Sequence, residues 1–422
     1  MTITHVIRSS GVMVPPSEST PSGTLDFSVM DALPIVQMDV HSIHVFRHGQ
    51  EPTKLIREAV SKALVPYYPL AGRLNRLSDG SLQVNCTGEG AWFIEASADY
   101  SLESVNYFDD ILLVPHDDLL PTSPPESDGL DPLVRIQLTY FTCGGYVIAQ
   151  SNPHSLLDGI GAAQWLSTVG EFARGFQKST IAPVWNREAI PTTAGVIREP
   201  GVSPPPPSMP LSFELLEPAS IDISQEHINK LKNEFAELTG DYCSTFDVVV
   251  ASLWRHRTQA IELEKETEVN LMFGVNTRQF LEPPMPEGYY GNCFYPVKVT
   301  ISSGWLVEAS HAEVVKLIKD AKARVPTEFR KWLKGDELEA SDDPFSFPLA
   351  YTTLCISAWN GLGFNTVDHG WGHPVHIFPI QKDLSIMPVG ALGLPPSPNK
   401  GIRVMTCCVN KKHLPSLVDY FK

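Results

Sequence analysis

No run of about 18 apolar residues occurs in this 422-residue chain, so a membrane-spanning helix is not expected. Met1 to Met13 lacks a basic stretch followed by an apolar one, which argues against a secretory signal. Cysteines are few: Cys86, Cys143, Cys243, Cys293, Cys355, Cys407 and Cys408. Their odd number and the lack of any CxxC pair disfavour a disulfide framework and a thiolate zinc site, and no metal site is expected. A reduced, cytoplasmic protein is the simplest expectation. Positive charge is also short, with 32 Lys and Arg against 48 Asp and Glu, for a formal net charge of −16. Such a chain is a poor overall partner for nucleic acid or an anionic membrane, although a local basic patch can still take an anionic ligand. No G-x-S-x-G elbow is present, so an ordinary serine hydrolase would lack its nucleophile. Gly159-Ile160-Gly161 begins like a dinucleotide fingerprint, but Gln164 stands where the third glycine belongs.

The composition that remains, 43 % hydrophobic and 19 % charged, is that of a globular protein. Its length suggests two domains or one large α/β unit. Leu55, Ile56, Val60, Ala63 and Leu64 recur at helical spacing, and Pro66 closes that helix. Leu133 to Phe141 alternates as a half-buried strand, Gly144-Gly145 turns, and Tyr146 to Gln150 returns as a second strand. An acidic, proline-rich surface loop is expected over 109–131. The first clear break is Arg198 to Pro210, which contains Pro204-Pro205-Pro206-Pro207, a stiff extended linker. The expected division is a first domain over 1–190, a crossover linker over 191–224 and a second domain over 225–422. In the second domain, helices are expected near 225–238, 244–257 and 306–324. Strands are expected near 269–275, 293–300, 351–357, 376–380, 384–393 and 402–408.

The chemistry centres on Ser151-Asn152-Pro153-His154-Ser155-Leu156-Leu157-Asp158-Gly159, between a strand and a helix. Histidine titrates near neutrality, so His154 suits a general base. Asp158 is either a partner for the imidazole or an anchor for the corner. The bland alternative is an ordinary capped helix. Val367-Asp368-His369-Gly370-Trp371-Gly372-His373 reads as a tight, packed turn, and its histidines lack metal-ligand spacing. Arg278 ends an apolar strand and needs a carboxylate, with Asp158 and Asp368 both candidates.

These residues together resemble the plant BAHD acyl-CoA-dependent acyltransferases. His154-Ser155-Leu156-Leu157-Asp158-Gly159 is similar to their HxxxDG motif. Asp368-His369-Gly370-Trp371-Gly372 is similar to their DFGWG motif, with His369 in place of the usual aromatic. Tyr67 to Arg73, Cys86 to Gly90, Asn276-Thr277-Arg278 and Tyr290 to Pro296 match in order and spacing along essentially the whole chain. The resemblance implies an α/β fold of two chloramphenicol-acetyltransferase-like domains, each a mixed β-sheet with flanking helices, joined by a long crossover. It implies an acyl-CoA donor and a small alcohol acceptor as substrates, a monomer, and no cofactor. His154 would be the base, and Asp158 would pair with Arg278 to hold the corner. Asp368, Gly370, Trp371 and Gly372 would be structural. Ser357 and Trp359, matching a Thr-x-Trp stretch of the hydroxycinnamoyl transferases, would both donate to the oxyanion, one such donor being worth ~3 kcal/mol. Ser252 and Arg255 would contact CoA, or else form a solvated helix face. His44 and Phe46 would line the acceptor pocket.

Members that grip an acidic acceptor do so through an arginine in the second half. This chain has none between Arg330 and Arg403, and Pro344 to Leu349 is apolar, which implies a neutral acceptor. Within the family the chain is most similar to grass p-coumaroyl-CoA monolignol transferases. Acetyl or benzoyl transfer, amide formation with an amine, and a non-catalytic CoA-ester or protein-binding role remain the alternatives.

Overall fold

The computed structural model describes residues 5–78, 81–109, 116–124, 131–191, 216–335, 344–345, 350–380 and 388–421. The Pro204–Pro207 run lies outside the described residues, as do most of the acidic loop, residues 346–349, and the start of the strand expected at 384. The first half runs through β1 (Val6–Arg8), β2 (Val12–Val14), β3 (Gly23–Asp26), β4 (Asp39–Phe46), α1 (Pro52–Ala63), β5 (Arg73–Arg76), β6 (Leu82–Cys86), β7 (Ala91–Ala98), β8 (Arg135–Tyr140), β9 (Tyr146–Pro153) and α2 (Gly159–Ala173). The second half holds β10 (Leu216–Ser224), α3 (Gln225–Thr239), α4 (Thr245–Ile261), β11 (Glu268–Asn276), β12 (Phe294–Ser302), α5 (Ser303–Glu308), α6 (His311–Lys334), β13 (Thr353–Ala358), β14 (His376–Ile380), β15 (Val389–Gly393), β16 (Gly401–Asn410) and α7 (Leu414–Asp419).

Two mixed sheets carry the fold. The first has the order β1-β7-β8-β9-β4-β14, with β2 also on β7, and only β7 and β8 run parallel. The second has the order β10-β16-β15-β13-β11-β12, with β11, β13 and β15 parallel. This is the expected pair of mixed sheets with flanking helices. No helix among the described residues is long and apolar enough to cross a membrane.

The sheets do not divide where the sequence does. β14, from the second half, pairs with β4 and completes the first sheet, His376 opposite Val45 and Ile380 opposite His41. Its Pro379 is tolerated because β14 is an edge strand, where a missing N–H breaks no ladder on the open side. β10 begins at Leu216, inside the stretch expected to be linker. The expected 306–324 helix is two helices, α5 and α6, parted at Ala309 and Ser310 by a capping box in which Ser310 and Glu313 bond each other's backbone N–H. α6 continues through Pro326 to Lys334. Its buried stripe of Val314, Ile318, Ala321, Val325, Phe329 and Trp332 outweighs the one N–H that the proline lacks.

The alternation of β4 decides what faces the site. Ile43 and Val45 enter a core that joins both halves, with Val147, Ala149, Phe378, Ala391 and Met405. Phe46, on the other face, enters the core beneath α1 and α2.

Candidate active site

The corner forms because β9 runs out of partners. β4 and β9 pair up to Asp39 opposite Pro153, and Pro153 has no N–H to continue. The next N–H, of His154, donates to the Met38 carbonyl at 2.8 Å. Asp158 then caps α2, its Oδ1 accepting from the Gly161 N–H at 2.9 Å. Two glycines let other chain segments close on the corner. A Cβ on Gly161 would lie 2.0 Å from the Tyr290 carbonyl oxygen, and one on Gly159 would lie 2.5 Å from Leu362. Close packing thus explains the Gly-x-Gly pattern, and no dinucleotide turn is needed.

Of the two carboxylates considered for Arg278, Asp158 is the partner. Arg278 Nη2 lies 2.9 and 2.8 Å from the two Asp158 oxygens and also donates to the Gly291 carbonyl at 2.8 Å. Both side chains are only 11 % exposed. Asp158 is therefore occupied by the cap and the arginine, and it has no hydrogen bond to the imidazole among the described residues. His154 is half-buried. Its Nδ1 is buried without a partner, which leaves Nε2 as the nitrogen within a substrate's reach.

Three residues that sequence reasoning missed brace the same corner from below. Asp31, fully buried, accepts from the Asn292 backbone and side-chain N–H groups at 3.0 and 2.9 Å and from Arg187 Nε at 3.2 Å. Asn292 passes the contact on, its Nδ2 donating to the His154 carbonyl at 2.8 Å, and Arg187 Nη2 donates to the Leu156 carbonyl at 2.6 Å. Trp185, Tyr289 and Tyr290 pack their rings on the guanidinium. Two ion pairs thus hold this corner, one through the Asp158 side chain and one through its carbonyls. Trp185, two residues before Arg187, and the Tyr-Gly-Asn stretch at 290–292 were the available signals.

β13 delivers the second set. β11 and β13 run parallel, so Ser357 leaves its strand at the end from which Arg278 reaches Asp158. The chain beyond Ser357 lands on the corner through the contact of Leu362 with Gly159. Trp359 Nε1 donates to Ser357 Oγ at 3.1 Å, and the indole stacks on Phe364 at 5.2 Å. The indole N–H, expected to donate beside the serine, here donates to it.

The expected CoA and acceptor contacts lie among other protein groups. Ser252 is 2 % exposed, with its hydroxyl 3.4 Å from His256 Nδ1. Arg255 donates to the Ala309 and Val307 carbonyls at 3.0 Å each, satisfying the end of α5. Arg255 itself is half-buried. His44 and Phe46, the expected acceptor contacts, are both buried. His44 sits against Ser42 and Phe364, and burial, helped by nearby His369, pushes its pKa down to about 3. Phe46 stacks on Tyr146.

The Asp368 motif sits at the far end of α2. Asp368 Oδ1 accepts from the Gly370 and Gly372 N–H groups at 2.8 and 2.9 Å, both glycines having positive φ. A Cβ on Gly170 would lie 2.5 Å from the Asp368 carbonyl oxygen, and Trp371 meets Tyr146 edge-on. At ~1.5 Å per residue, the twelve residues from Asp158 to Gly170 put this motif about 18 Å from the corner.

Comparison with known proteins agrees with this architecture. The profile of the transferase family matches residues 4–420. Acyl transferase 4 of Oryza sativa subsp. japonica is 40 % identical, over 99 % of this chain and 98 % of its own. A myricetin 3-O-glucosyl 1,2-rhamnoside 6'-O-caffeoyltransferase of Crocosmia x crocosmiiflora is 39 % identical over 98 % of both chains. The crystal structure of vinorine synthase superposes with a TM-score of 0.70 at 18 % identity, over 98 % of this chain and 96 % of that one, which speaks to the fold. The chain belongs to the BAHD transferase family and is an acyl-CoA-dependent acyltransferase.

Proposed function

We propose that the enzyme moves a hydroxycinnamoyl group, p-coumaroyl foremost, from CoA to the hydroxyl of a neutral alcohol such as a monolignol, as a cytoplasmic monomer without a cofactor. The observation that carries the chemistry is the division of labour at the corner. Asp158 is engaged by Arg278 and the α2 cap, while the His154 imidazole is left unengaged. His154 Nε2 takes the acceptor's hydroxyl proton as the oxygen attacks the thioester carbonyl. The tetrahedral oxyanion accepts a hydrogen bond from the Ser357 hydroxyl, polarised by the Trp359 N–H. The C–S bond breaks, His154 returns the proton to the CoA thiolate, and the ester leaves. The stacked Trp359–Phe364 pair is an aromatic wall suited to an aromatic acyl or acceptor ring. The caffeoyl donor in the name of the Crocosmia relative supports the hydroxycinnamoyl class.

A donor-by-acceptor matrix read by mass spectrometry tests this. Wild type is expected to form p-coumaroyl esters of phenylpropanoid alcohols. Preference for acetyl- or benzoyl-CoA, or amide products from amines, would replace the substrate assignment.

A further inference from the structure

A pocket of about 330 Å³ opens between the two sheets, directly beside Trp359. That is near the lower end of the range for small-molecule sites. The start of β14, with His376 and Ile377, and the Pro374-Val375 pair before it form one side, and the turn from β15 to β16 forms the other. Trp359 and Phe364, the aromatic wall of the proposed catalytic site, form part of its lining.

Most of its polar side chains are unengaged, although Gln225, which also lines it, donates to Asn229 at 2.9 Å. The side chains of Asn360, Asn365, Ser397, Asn399 and Lys400 all border the pocket, and among the described residues none of them forms a hydrogen bond or ion pair. His376 adds a more demanding group. It is 2 % exposed, and its Nδ1 lies 3.2 Å from the Tyr107 carbonyl oxygen. A carbonyl only accepts, so Nδ1 carries the proton and Nε2 is a bare acceptor. That Nε2 is buried and has no partner. Burial, followed by the nearby Arg403 cation, lowers the His376 pKa to about 4, so the ring stays neutral at cell pH.

This set selects a ligand chemistry. An unpartnered buried acceptor is unfavourable until a donor reaches it. A carboxylate has no proton to give, whereas a hydroxyl gives one to His376 and takes one from Lys400, Ser397 or an amide. The three asparagines each offer a donor and an acceptor, which suits several hydroxyls at once. We propose that this pocket is a subsite for a polyhydroxylated, uncharged part of the acceptor, such as a hexosyl group, held away from the hydroxyl that is acylated. The inference rests on the acyl-transfer reading for the identity of the acceptor, but the pocket can be tested without turnover.

The full-length protein is titrated with phenyl β-D-glucopyranoside as the probe and followed by ligand-observed NMR. The same variants are assayed with p-coumaroyl-CoA and two acceptors, coniferyl alcohol and its 4-O-glucoside. Wild type is expected to bind the probe and to favour the glucoside. The double variant Asn365→Ala/Asn399→Ala, both residues exposed, should weaken probe binding at least tenfold and lower the glucoside-to-aglycone ratio of kcat/KM by a similar factor. His376→Phe should do the same if it folds, and the asparagine pair decides the matter if it does not. No probe binding by wild type, or binding that the asparagine variant does not weaken, would overturn the proposal. Probe binding that depends on the asparagines, with no donor turned over on either acceptor, would support the pocket and count against the hydroxycinnamoyl reading alone.

Discussion

Each end of α2 carries a histidine, an aspartate and an arginine. At the N-terminal end stand His154, Asp158 and Arg278. At the C-terminal end stand His369, Asp368 and Arg174. The first aspartate meets its arginine at 2.8 Å with both side chains 11 % exposed, whereas the second pair is 3.9 Å apart at 22 % and 36 %. His154 is half-buried with Nε2 open, whereas His369 is 1 % exposed, its Nδ1 on the Tyr146 hydroxyl and its ring against Phe46. The same three residue types give a reactive corner in one place and a packed turn in the other. Access to the imidazole and the burial of the ion pair separate them.

The sharpest way to break this comparison is at the histidines. His154→Ala should lower kcat ~10²–10⁴-fold, the usual share of a positioned general base. His369→Phe, which restores the aromatic of the family motif, should leave kcat within about twofold. Thiol release from p-coumaroyl-CoA measures both. Equal losses would mean that the two ends do not differ as described.

The ion pairs come next. Asp158→Asn keeps a side chain able to cap α2 but leaves the Arg278 charge buried without its carboxylate. That should cost ~3 kcal/mol of stability, as breaking a buried pair does. Denaturant unfolding reads the stability. Activity should fall as well, because the corner that carries His154 loosens. If Asp158→Asn lowered kcat while leaving stability at the wild-type value, Asp158 would have a chemical role that its engagement with Arg278 argues against.

The N-terminal end of α2 was the legible one. His154 and Asp158 lie four residues apart, and the glycines, the proline and the strand-to-helix change mark the corner locally. Arg278 was legible as an arginine at a strand end, a place where it must find a carboxylate. Asp31 and Arg187 were not, since 156 positions separate them and each alone resembles any charge in a polar turn. β14 was expected as a strand, but alternation in five residues does not say which sheet it joins; the free edge of β4 decided that. Helical spacing does not tell a solvated face from a covered one, so it did not show that Ser252 is buried or that Arg255 satisfies carbonyls at the end of α5. The burial of His44 and Phe46 was hidden for a related reason. Period two assigns a face, but both faces of β4 are core.

Acid should expose the C-terminal end. Burial lowers the pKa of His369 to about 4, of His376 to about 4 and of His44 to about 3, while the unfolded chain titrates near 6.5. Between these values the unfolded state holds more protons than the folded one, so stability rises with pH and is lost as pH falls below ~6.5. At pH 5 each such histidine should cost ~2 kcal/mol. Thermal unfolding at pH 7.5 and pH 5 checks this, with His369→Phe expected to lose less than wild type on acidification. An identical loss would show that His369 is not held neutral by its packing.

The smallest effect is expected at Arg174. It faces Asp368 at 3.9 Å with more than a third of its side chain in water, so the pair is screened and worth less than ~1 kcal/mol. Asp368 also has a second set of partners, the Gly370 and Gly372 N–H groups, which keep the turn closed when the arginine is gone. Arg174→Ala should therefore shift unfolding by less than ~1 kcal/mol and leave kcat within about twofold. The matched substitution, Arg278→Ala, removes the cation from a buried carboxylate that, among the described residues, otherwise accepts only from the Gly161 N–H. It should cost several times more, ~3–5 kcal/mol. The difference between the two arginines measures what burial adds to an Asp–Arg pair along one helix, and similar losses at both would show that the far end of α2 anchors the corner as firmly as the near end.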